Sequence, residues 1–94
     1  MTEKPASPAG SELPSIDFST LVLSLATSAM VHMGLVPDPE NGETPEKNLP
    51  LAHQTIDTLE MLQDKTRGNL EEEETKLLQS VLYELRMNYV KARG

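Results

Sequence analysis

The sequence predicts an all-α protein of three helices, an apolar N-terminal helix at about 18–34 and an antiparallel helical hairpin at about 49–67 and 70–93, behind a disordered N-terminal tail. Three observations carry this. All seven prolines lie at or before Pro50, so everything after it is free to be helical. Apolar residues beyond Phe18 recur at helical rather than alternating spacing. Gly34 and Gly68 punctuate the periodic segments and interrupt none of them.

Residues 1–15, rich in Pro, Ser, Ala and Glu, hold too little apolar surface to offset the entropy of ordering, so they are read as a disordered tail ahead of one helical domain at 16–94. Asp17 is a fitting N-cap for the first helix, which starts at Phe18. Gly34 takes the left-handed C′ position and lets Leu35 fold back onto the last turn, and Pro37 and Pro39 stop continuation. The acidic stretch PDPENGETPEK is a surface loop. Asn48 or Leu49 begins the second helix, with Pro50 tolerated in its first turn, and Arg67 ends it before Gly68. Asn69 then caps the third helix, with Glu72 completing a capping box. The acidic run Glu71 to Glu74 lies at that helix's positive end, and Lys91 and Arg93 at its negative end. So short a link forces a tight antiparallel hairpin.

The faces of these helices differ. Leu77, Leu78, Val81, Leu82, Leu85 and Tyr89 share one arc of the third helix, the face expected to form the hairpin core. Tyr83, Met87 and Val90 form a second apolar group on its opposite side, for which a monomeric hairpin has no use. The first helix carries no formal charge from Phe18 to Val36, and its apolar arc covers about 200° of the wheel, more than one hairpin can cover. Two explanations stay open. A membrane span suits the length, but Ser and Thr content and the acidic flanks Asp17 and Asp38 oppose it. A self-associating protein explains the same face, with a dimer as the default and an unknown protein partner as the other occupant. The candidate interface is Leu21, Leu25, Ala26, Ala29, Met30, Met33, Tyr83, Met87 and Val90.

Composition removes several functional classes. With no cysteine, disulfide frameworks, thiolate metal sites and cysteine nucleophiles are absent. A net charge of −7 opposes binding to a phosphate backbone, so no nucleic-acid partner is expected. The opening MTEKPASPAGSELPSID does not read as a signal peptide, which makes the cytoplasm the expected location. Among titratable residues, His32 falls between Leu21 and Leu25 on the apolar face, a place for a buried ligand or a pH-sensitive interface group, but a dipole-matched histidine reaching solvent at the helix C-terminus is the preferred reading. His53 and Asp57 stand at i, i+4 with Glu60 and Asp64 nearby, a spacing that can hold a metal, but no second histidine completes a set. The serines lack a nucleophile-elbow context, and no phosphate-binding loop is present. No cofactor and no catalytic residue is expected, and Met30, Met33, Met61 and Met87 read first as core filler.

The segments IDFSTLVLSLATSAMVHMGLVPDP, PLAHQTIDTLEMLQDKTRGNL and EEEETKLLQSVLYELRMNYV resemble a bacterial family known as domain of unknown function 1844. The resemblance covers residues 16–91 and is carried by the uncharged helix from Phe18, the HMGLVPDP exit around Gly34, the KTRGNL turn and the LYELRMNYV tail. It departs at Glu71, where Thr is common in the family, which removes a second potential cap. The resemblance implies a small cytoplasmic bacterial helical protein and transfers no catalytic residue. The function expected is a small non-enzymatic helical module for interaction or self-assembly. The alternative is a membrane-associated accessory protein that inserts the first helix.

Overall fold

A computed structural model describes residues 17–94 as three α-helices, α1 Phe18–His32, α2 Leu49–Lys65 and α3 Glu72–Arg93, with no strand among the described residues. The expected disorder of residues 1–15 lies outside the described residues.

Each helix begins and ends for a local reason. The Asp17 carboxylate accepts from the Thr20 amide at 2.8 Å, satisfying one of the free donors of α1. That hydrogen bond holds the Asp17 carboxyl below its ordinary range, because it favours the ionised form. At the other end Gly34 adopts φ 78°, the Gly34 amide donates to Val31 O, and the Leu35 amide donates to Met30 O, both at 2.9–3.0 Å. This pair of bonds is a Schellman motif, the turn expected at Gly34, and it frees the chain to leave α1. Asn48 caps α2 through its Oδ1, which accepts from the Leu51 amide at 3.1 Å, with Pro50 in the first turn.

The hairpin link differs from the sequence expectation in two places. The second helix ends at Lys65 rather than Arg67, with Thr66 as C-cap, its hydroxyl donating to Leu62 O. The third begins at Glu72 rather than residue 70, and its N-cap is Glu71, not Asn69. Leu70 explains the delay, because its side chain packs against the core and the chain must place it there before turning into a helix. The capping carboxylate is therefore Glu74, whose Oε1 accepts from the Glu71 amide at 2.9 Å. Gly68, at φ 82°, makes the turn.

The three helices form an up-down-up bundle in which every helix packs on the other two. The Asn48 amide donates to His32 O at 2.7 Å, which brings the start of α2 beside the end of α1 and sets the two antiparallel. Lys47 Nζ donates to Ala92 O at 3.0 Å, so the end of α3 meets the same end of the bundle and α3 runs parallel to α1. The core consists of Val22, Ala29 and Met33 from the first helix and its cap, Ala52, Ile56 and Leu59 from α2, and Leu78, Leu82 and Leu85 from α3. On α2 and α3 these positions repeat at i, i+4, i+7, the spacing of one buried stripe. No polar or charged residue is buried among the described residues.

Candidate functional site

The structure divides the nine residues expected at a shared face into three groups. Ala29 and Met33 are fully buried in the chain's own core, so neither is available to a partner. This corrects the sequence reading for those two residues: α1 packs against both helices of the hairpin, which buries the centre of its wide apolar arc and leaves Leu21 and Leu23 at its edges exposed. Leu21, Leu25, Ala26 and Met30 flank that buried seam, Leu21 exposed and the other three partly covered and packed against the core. Tyr83, Met87 and Val90 stand outside the bundle, at 63%, 46% and 55% exposure.

Ala26 and Met30 meet α3 in a shallow groove of about 170 Å³, closed on the other side by Ser80, Val81, Glu84, Leu85 and Asn88. Its walls are almost wholly carbon, and its one hydrogen-bonded link is the Asn88 amide donating to Met30 Sδ at 3.6 Å. Leu23, half-exposed at 51%, lies about two turns before Met30 on the same flank of α1. The candidate set left it out, although its place on the wheel beside Met30 was the signal that could have found it. Met87 stands about 20° from Ser80 on the α3 wheel, so the groove leads onto the outer stripe of α3.

Two polar grooves hold the titratable candidates. The segment Asp38–Glu40 crosses the outer face of α1 and bounds a groove of about 380 Å³ with Ser24, Thr27, Ser28, Val31 and His32. The hydroxyls there come from a helix face with no charged residue, and His32 is half-buried at the helix end. The loop is itself ordered: Asp38 O accepts from the Asn41 and Gly42 amides, and the Asp38 amide donates to Glu43 O at 2.8 Å. Between α2 and α3, His53 Nδ1 lies 3.1 Å from Asp57 Oδ2, as their spacing predicts, and both side chains are more than half exposed. The His53 ring meets the Tyr89 ring edge-on at 5.5 Å, and Arg93 lies 6.0 Å from that ring's centre. Arg86 donates from Nε and Nη2 to Glu60 Oε2, at 3.1 and 2.7 Å, which engages the Glu60 carboxylate. Among the described residues no group of three or more His, Cys, Asp or Glu side chains is placed to hold a metal.

No helix of the described residues is long and apolar enough to cross a membrane. The first helix has 15 residues, about 22 Å at 1.5 Å per residue, against roughly 30 Å of hydrocarbon. The Schellman turn at Gly34 ends it well short of the uncharged stretch the sequence offers.

A family model described as "Domain of unknown function (DUF1844)" matches residues 15–91. No curated protein and no solved structure matches the chain.

Proposed function

The chain belongs to that family of domains of unknown function, and from this premise we propose that it is a small non-enzymatic helical module that works by associating with a second copy of itself. What supports this reading is one observation. The three-helix core closes without Tyr83, Met87 and Val90, and leaves all three between 46% and 63% exposed along one helix. Single exposed apolar side chains are ordinary on a protein surface, but apolar side chains aligned on one helical stripe are the pattern of a contact face.

Size argues the same way. With 78 described residues, no disulfide and an aliphatic core, a lone bundle gains little stability from its own burial, and association adds apolar area at no cost in new secondary structure. The net charge of −7 keeps such a module off nucleic acid, and the cytoplasm of a bacterial cell is the location that the family resemblance implies for it.

Light scattering after size exclusion, in detergent-free buffer, tests the reading. The expected mass is twice the 10.4 kDa chain. A mass of one chain up to high micromolar concentration overturns it.

A further inference from the structure

We propose that the outer stripe of α3 is the association surface and that it pairs antiparallel with the α3 of a second copy, about a two-fold axis at Tyr83. The proposal rests on the self-association reading and commits it to one geometry.

Spacing defines the seam. Glu73, Lys76, Ser80, Tyr83, Met87 and Val90 follow one another at intervals of 3, 4, 3, 4 and 3, the repeat of a two-helix seam. All six residues are exposed, with Ser80 bordering the groove shared with α1 and Val90 bordering the one shared with α2. The Val81, Leu85 and Asn88 flank meets α1, and Arg86 and Tyr89 meet α2 through Glu60 and His53.

Charge chooses the direction. The helix is acidic in its first turn, with Glu72, Glu73 and Glu74, and basic in its last, with Lys91 and Arg93. A parallel pair would set the acidic ends side by side. An antiparallel pair sets each acidic end against a basic end and also opposes the two helix dipoles. With the axis at Tyr83, Tyr83 meets its own copy, Ser80 lies across from Met87 of the second copy, and Glu73 lies across from its Arg93. The small Ser80 side chain leaves the space that the Met87 side chain fills. Lys76 falls across from Val90 of the second copy. Its ammonium is held by Glu72 at 3.3 Å, so its stem is free to cover that valine.

The chain has no cysteine, so single thiols report the geometry directly. On mild oxidation Tyr83→Cys is expected to form a covalent dimer at least roughly tenfold faster than Met61→Cys, an exposed position on α2, because only the first pair is held together before it reacts. Because Tyr83→Cys removes part of the apolar stripe, a second pair keeps the test sharp. Ser80→Cys mixed with Met87→Cys is expected to give mainly the mixed disulfide by mass spectrometry. Equal rates at positions 83 and 61, in a protein whose wild-type mass is two chains, overturn the α3 pairing and leave self-association standing. Products joined mainly as 80–80 and 87–87 overturn the antiparallel direction. A wild-type mass of one chain overturns both readings.

Discussion

Asp17 is an exposed carboxylate with one structural task, accepting the Thr20 amide at the start of α1. Its pKa is lowered in the folded chain, so its contribution is present above the ordinary aspartate range and is lost as pH falls through the lowered value. An acid titration followed by circular dichroism is expected to show wild type losing first-turn helicity at low pH, and Asp17→Ala lacking that helicity at neutral pH already. Ala29 belongs to a different class, because its side chain is fully buried. Ala29→Glu leaves an unpaired charge in an apolar core, a cost of about 3–5 kcal/mol, enough to unfold a bundle this small. The same residue looked like part of an outward face in the sequence, because a helical wheel shows that a side chain is apolar and not which neighbour covers it. Leu59→Ala is expected to cost about 2–5 kcal/mol in chemical denaturation, since Leu59 is fully enclosed and its loss leaves a cavity among all three helices.

The helices themselves were legible because their signals are local. Asp17, Asn48 and Gly34 do what their side chains and backbones dictate, and the start of α1 at Phe18 and of α2 at Leu49 follow from them. The hairpin turn was less legible because a long-range contact decides it. Asn69 is the better intrinsic cap, yet Leu70 must reach the core first, and the cap passes to Glu71 with help from Glu74. The two turn glycines offer a comparison at this scale. Both have positive φ, so an alanine at either is strained by about 1–2 kcal/mol. A Cβ at Gly68 meets open space, whereas one at Gly34 stands 3.1 Å from Lys47 Cγ. Gly34→Ala is therefore expected to lower the melting temperature more than Gly68→Ala, and to loosen the Lys47 link to Ala92 O as well. Equal losses would mean that the crowding at Gly34 is relieved by the flexible lysine stem.

Across the whole molecule, apolar side chains are shared unevenly between the core and the surface. Every helix gives a stripe to the interior, and α3 alone carries a second stripe at seam spacing on the side no neighbour covers. That second stripe was readable in the sequence as Tyr83, Met87 and Val90 opposite the core-facing leucines. The α1 share of the surface was not, because the wheel could not tell that α1 touches both other helices. Sedimentation equilibrium of the full chain beside its Tyr83→Glu variant tests the central claim most directly, because position 83 is 63% exposed and a charge there is expected to leave the fold intact. The account predicts two chains for wild type and one chain, with an unchanged circular dichroism spectrum, for the variant. A variant that keeps the wild-type mass, or a wild type that sediments as one chain, would contradict it.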